Sequence, residues 1–221
     1  AYKAVVEAKP YGPDTNIEKL ECVGHNQKRM GGRLMKLREN CKKKRLEDGK
    51  LLTGKGRLTD IQIRSLQLYY SKAIRANATD LEGMRRGVWA TFFHKAAINR
   101  NPNHQMCSES WCKYLQSLKY PSIKYDHKNS LPLAVLNAIK PIYRDLANSN
   151  LLRKCLHGKT HNTNECLNGQ IWNRCPKTKF AGRQHVEIAT TDAISIFNDG
   201  YVSMHQTLKC MGLQPGSWCV S

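Results

Sequence analysis

A mixed α/β fold, predominantly helical, is what this sequence predicts, and three observations predict it. One short stretch alternates apolar and polar residues with the period of a half-buried strand. Most other structured stretches repeat their apolar residues at three and four positions, between recognisable caps and breakers. An apolar content of 40% over 221 residues is enough to fill a substantial interior.

Residues 1–9 read as a short helix ended by Pro10 and the turn residues Gly12-Pro13-Asp14. The chain has no initiator Met and opens inside that helix, as a fragment would. Ile17 to Cys22 is the alternating stretch, a strand that delivers Cys22 and His25 at its end. From Lys28 to Arg57 there are twelve basic residues against three acidic ones. Leu34, Met35 and Leu37 give the first part a thin apolar stripe, predicting a helix to about Lys44, followed by the glycine-rich turn Gly49 to Arg57.

Thr59 caps a helix carrying Ile63, Leu66, Tyr70 and Ile74. Thr79-Asp-Leu-Glu82 has the form of a capping box, in which Thr and Glu satisfy each other's backbone N–H, and opens a helix with Leu81, Met84, Val88, Trp89 and Phe92. The pair suits either a helix-turn-helix or a packing hairpin. A loop bearing His104, Cys107 and Cys112 follows. Helical spacing resumes from Leu131 to Leu146, with a kink expected at Pro141, and continues through Leu151 to Leu156. Thr163 begins a helix that Pro176 stops, and helices over about 184–197 and 200–211 close the chain.

Thirty-six Lys and Arg against 17 Asp and Glu give a net charge of +19, which no compact fold requires. Lysines and arginines on phosphates release condensed counterions, so DNA or RNA is the expected partner, with acidic membrane surfaces and ribosomal RNA as alternatives. Within the run from Lys28 to Arg57, the candidate phosphate contacts are Lys28, Arg29, Arg33, Lys36, Lys42, Lys43, Lys44, Arg45, Lys55 and Arg57.

Nine cysteines, several beside histidines, occur without a secretory leader or an 18-residue apolar run. An intracellular compartment is therefore expected, where such clusters favour zinc over disulfides. Cys22-x-x-His25 has the spacing of half a zinc site, and His104-x-x-Cys107 with Cys112 supplies further ligands. The expected set is Cys22, His25, Cys107 and Cys112. Cys155, His157 and His161 compete for the role, and a chain without metal is the remaining reading. Cys41, Cys166, Cys175, Cys210 and Cys219 read as ordinary thiols. Glu165, in a predicted first turn, complements a helix dipole on local grounds alone.

A family resemblance adds to this. Lys19-Leu-Glu-Cys-Val-Gly-His-Asn-Gln-Lys-Arg-Met30, Gly54-Lys-Gly-Arg-Leu-Thr-Asp60, Ser110-Trp-Cys-Lys-Tyr114, Leu133 to Leu146, Lys154 to Glu165, Ile171-Trp-Asn-Arg174 and Phe197-Asn-Asp-Gly200 resemble, in order, the Mutator-like transposase domain of animal transposable elements. The resemblance implies part of an RNase H-like DDE core with a large helical insertion. Residues 1–25 would end its sheet, 26–150 would form the basic insertion with the Cys/His site, and 151–221 would return the third catalytic acid, Glu165. It further implies a catalytic Mg²⁺ or Mn²⁺ at that acid, a structural Zn²⁺ at the Cys-x-x-His signature, transposon-end and target DNA as partners, a homo-oligomer and a nuclear location. Asn162, Asn164 and Asn168 would orient Glu165 or contact phosphate. The other two acids of that core are expected upstream of Ala1, so this chain by itself would not cut DNA. The alternative is a non-catalytic, zinc-stabilised DNA-binding module derived from a transposase. A basic protein of an RNA assembly is a third reading.

Overall fold

The computed structural model describes residues 2–160, 162–214 and 216, so His161 and Cys219 lie outside the described residues. The chain divides into two compact units, 1–159 and 160–221. The first holds α1 (Tyr2–Ala8), α2 (Val23–Asn40), α3 (Asp60–Ala76), α4 (Leu81–Ala96), α5 (Lys113–Lys119), α6 (Leu133–Leu146) and α7 (Ser149–Arg153). The second holds α8 (Asn162–Arg174), α9 (Arg183–Asp199) and α10 (Val202–Cys210). Among the described residues there is no sheet, only the isolated bridges Arg45 to Leu51 and Ile98 to Asn101.

The strand expected over Ile17–Cys22 is therefore corrected. Cys22 itself is extended, but the backbone on either side of it meets a loop instead of a neighbouring strand. Glu21 N donates to Lys154 O at 2.9 Å and Val23 N to Lys159 O at 3.5 Å. Two bonds to a loop are not a ladder, and Leu20, on the apolar phase of the alternation, is 48% exposed.

The core of the first unit forms where the apolar stripes of four helices meet. Val23, Met30 and Leu34 of α2, Ile63, Leu66, Tyr70 and Ile74 of α3, Met84, Val88 and Phe92 of α4, and Val135, Ile139, Tyr143 and Leu146 of α6 all enter one cluster. Helix α2 packs on α3 and α6, and α4 packs on α3, α6 and α7. Each fully buried Leu, Ile or Met there contributes about 1.5–3 kcal/mol. Gly31 permits a close α2–α3 approach, since a Cβ at that position would overlap the Gln67 carboxamide. Two phenols reach the interior: Tyr70 OH donates to Leu146 O at 3.1 Å, and Tyr143 lies 3.4 Å from Thr91 Oγ1. Burial raises the pKa of both.

Local signals set the helix ends. Thr59 Oγ1 accepts from Gln62 N at 3.3 Å, as its position predicts. At α4 the cap is Asp80, which accepts from Gly83 N at 2.9 Å, while Thr79 takes a positive φ of 73° and cannot form the expected box. Helix α6 runs through Pro141, which is exposed. The turn between α2 and α3 is anchored: Leu52 and Leu58 are buried in the core, and Arg57 Nη1 meets Asp48 Oδ2 at 2.5 Å.

In the second unit, α9 packs against both α8 and α10. Its interior is thin, with Cys175, Ala189, Ala193 and Ser203 buried. Arg174 and Asp192 join α8 to α9 at 2.5 Å.

Candidate metal centre

Between α4 and α6 the chain runs from Ile98 to Ser130 without placing a residue in the hydrophobic core. Only two residues in that stretch are buried, His104 and Cys112. Both belong to a four-residue cluster with His94, in the last turn of α4, and Cys107. Cys112 is the N-cap residue of α5, so its side chain leaves the helix start toward the cluster.

The geometry is that of a tetrahedron. The Nδ1 atoms of His94 and His104 are 3.2 Å apart. Cys107 Sγ lies 3.8 Å from His94 Nδ1 and 3.6 Å from His104 Nδ1, and Cys112 Sγ lies 3.7 Å and 3.4 Å from the same atoms. Zinc bonds of about 2.0–2.1 Å to nitrogen and about 2.3 Å to sulfur place tetrahedral corners about 3.3 Å apart for N···N and about 3.6 Å for N···S. The observed edges straddle those values, and the Cys₂His₂ donor set is the one structural zinc takes. The residues present fit the metal, and the cluster could bind zinc.

The electrostatics agree with this donor set. The neighbouring Cys107 sulfur holds the Cys112 pKa down against the opposing effect of burial, with His94 assisting. One of the two sulfurs is thereby biased toward the thiolate that a metal requires. Burial lowers the pKa of His104 and of His127, favouring neutral imidazoles.

A second layer fixes the His104 ring. With Nδ1 facing the cluster, its Nε2–H donates to His127 Nε2 at 2.8 Å. His127 Nδ1–H then donates to Asn99 Oδ1 at 2.6 Å, and Asn99 Nδ2 donates to Asp126 Oδ1 at 2.7 Å. This chain from ligand to carboxylate selects one tautomer at each ring, as partners of metal-bound histidines commonly do. Tyr114 stacks on His104 with centroids 4.3 Å apart.

Of the expected ligands, Cys107 and Cys112 enter the cluster, and the other two do not. Cys22 is buried at the start of α2, close enough to Cys155 to raise its pKa, and His25 is exposed on α2. Their places are taken by His94 and His104. His104 was legible from its spacing to Cys107; His94 belongs to another helix, and its one local signal is its position in a last turn. The competing residues Cys155 and His157 serve the fold. Asn26 Nδ2 donates to Cys155 Sγ at 2.9 Å, and burial pushes that thiol up to about 11. His157 accepts from Lys159 N at Nδ1, 3.0 Å, and approaches Glu21 O at 3.1 Å with Nε2.

The basic candidates separate by environment. Lys28, Lys36, Lys43, Lys44 and Lys55 are exposed, with no ion pair among the described residues. Arg29, Arg33 and Lys42 pair with Glu21, Asp145 and Glu39, and Arg45 donates to Gly49 O at 2.7 Å. Arg57 is 6% exposed and its guanidinium is taken by Asp48, so it holds the turn. Glu165 is exposed in the first turn of α8, and among the described residues it joins no metal-sized group.

No curated protein and no solved structure is significantly similar to this chain. The Mutator-like transposase family, however, matches residues 1–112. That stretch carries the basic helix α2, the anchored turn and, up to its final residue, all four members of the Cys₂His₂ cluster. The chain belongs to the Mutator-like transposase family.

Proposed function

We propose that this chain is the DNA-gripping, zinc-stabilised part of a Mutator-like transposase. The observation that carries the reading is the set of five exposed lysines without ion pairs, on α2 and in the segment that follows it, within the family-matched stretch. Cations left free on a rigid helix and an anchored turn bind phosphates without first breaking an ion pair. Zinc at His94, His104, Cys107 and Cys112 would hold the loop that the hydrophobic core does not reach. Among the described residues no helix is long and apolar enough to cross a membrane.

Five lysines each meeting one phosphate give a slope of log K against log salt of about −4.5 on duplex DNA. The test is that slope for the wild type and for Lys36→Gln/Lys43→Gln/Lys44→Gln, which is expected to be shallower by about 2.7. An unchanged slope removes these lysines from the interface, and tighter binding to duplex RNA than to DNA overturns the partner.

We extend the proposal to chemistry only through Glu165, the position that resembles the third acid of a strand-transfer centre. The described residues do not gather a divalent-ion site around it. In a transposition assay with the full element-encoded protein, Glu165→Gln is expected to abolish strand transfer while leaving DNA binding intact. Retained transfer removes Glu165 from the catalytic acids, whereas an unaltered protein that binds DNA but transfers no strand leaves the non-catalytic DNA-binding module as the reading.

A further inference from the structure

A cleft of about 310 Å³ opens beside the metal cluster, between α3, the end of α4 and the loop segments around Trp111 and Asn129. Its wall contains an unusual residue. Lys95 is 5% exposed, and among the described residues no carboxylate pairs with it. Its ammonium donates to Gln62 Oε1 at 2.9 Å and reaches Asn129 O at 3.5 Å, both neutral acceptors, and it lies 5.6 Å from the centre of the Tyr69 ring. A buried ammonium with only neutral partners is costly to maintain, and an anion in the cleft would offset that cost. The cleft's one carboxylate, Asp126, is engaged with Asn99 and Lys128, while Lys113 adds a second, exposed cation without an ion pair.

The other wall is aromatic. Trp111 is half-buried, with its ring centre 6.1 Å from that of Tyr69 and 5.1 Å from that of His94. Because His94 belongs to the metal cluster, binding zinc would also fix the ring against which Trp111 leans. Cations beside flat half-exposed rings match a ligand that is anionic at one end and planar at the other, and the cleft volume lies at the small end for ligand sites. Resting on the DNA-binding reading, we propose that this cleft holds one unpaired nucleotide of a DNA strand. Lys95 and Lys113 face its phosphate, and Trp111 and Tyr69 face its base.

The test uses the zinc-loaded chain, with fluorescently labelled pentathymidylate and a 20-base-pair duplex as separate probes. Lys95→Met keeps the aliphatic stem but removes the charge, and Trp111→Leu removes the stacking face. Each is expected to weaken pentathymidylate binding about 10-fold or more, with duplex affinity changed less than twofold. Thymidine monophosphate is expected to displace the single strand, while inorganic phosphate at equal concentration does not. Full retention of single-strand affinity in both variants, with duplex binding intact, overturns the cleft proposal alone; equal displacement by inorganic phosphate overturns the nucleotide as its ligand. Loss of duplex binding by the unaltered chain overturns instead the reading on which it rests. Zinc content and melting temperature are recorded for each variant. If Lys95→Met fails to fold, Trp111→Leu and Lys113→Gln decide the matter.

Discussion

Removing zinc should unfold one part of the first unit and spare the rest. Between Ile98 and Ser130 the only buried residues are His104 and Cys112, both members of the cluster, and none joins the hydrophobic core. Without a metal this stretch keeps its local hydrogen bonds, the path from His104 to Asp126 and the rings around His104, which are expected not to offset a backbone ordering cost of about 1–2 kcal/mol per residue. The four-helix core of α2, α3, α4 and α6 is built from other residues and persists. With free zinc a thousandfold above the dissociation constant, binding contributes about 4 kcal/mol to closing the loop. Amide exchange across Lys113–Lys119 and the neighbouring turns should therefore accelerate about 1000-fold on chelation. Exchange within Ile63–Ile74 should change by less than about tenfold. Trypsin should then cut after Lys113, Lys119, Lys124 or Lys128 only in the metal-free protein. Equal acceleration in α3 would show that the metal holds the whole unit, and no acceleration in α5 would remove zinc as the organiser of this loop.

Further expectations concern single residues. His127→Ala breaks the path from His104 to Asp126 and should weaken zinc binding about 10–100-fold in competition with a chromogenic chelator, without changing the stoichiometry. Arg57→Gln should lower unfolding free energy in urea by about 1–3 kcal/mol yet leave the salt dependence of DNA binding unaltered, because Asp48 already occupies its guanidinium. Cys155, held protonated by burial up to about 11, favours the native state fully below the ordinary thiol pKa. That contribution is lost as pH rises through about 11, so the melting temperature should fall more steeply between pH 9 and 11 in the wild type than in Cys155→Ala. Alkylation at pH 8 should reach exposed Cys166 and Cys210 well before Cys155.

The sequence by itself determined the elements whose causes are local. Thr59 before the spacing Ile63, Leu66, Tyr70, Ile74 gives α3 its start and its buried face, and the same periodicity gives α6, because caps and apolar stripes act over one to four residues. Local spacing also brought His104, Cys107 and Cys112 into one loop, and net charge alone pointed to a polyanion. Tertiary structure decided whatever depends on a distant partner. A strand needs a second strand to complete its hydrogen bonds, and Ile17–Cys22 meets the loop at Lys154–Lys159, so its alternation never becomes a sheet. A metal needs four donors converging on one point, and convergence follows from which helix end faces which loop. The end of α4 brings His94 to the cluster, while the start of α2 places Cys22 near Cys155. The basic run likewise reads as uniform in sequence. Packing alone separates Arg57, buried and paired with Asp48, from the lysines left exposed, because a charge is available to DNA only where no carboxylate and no core has already taken it.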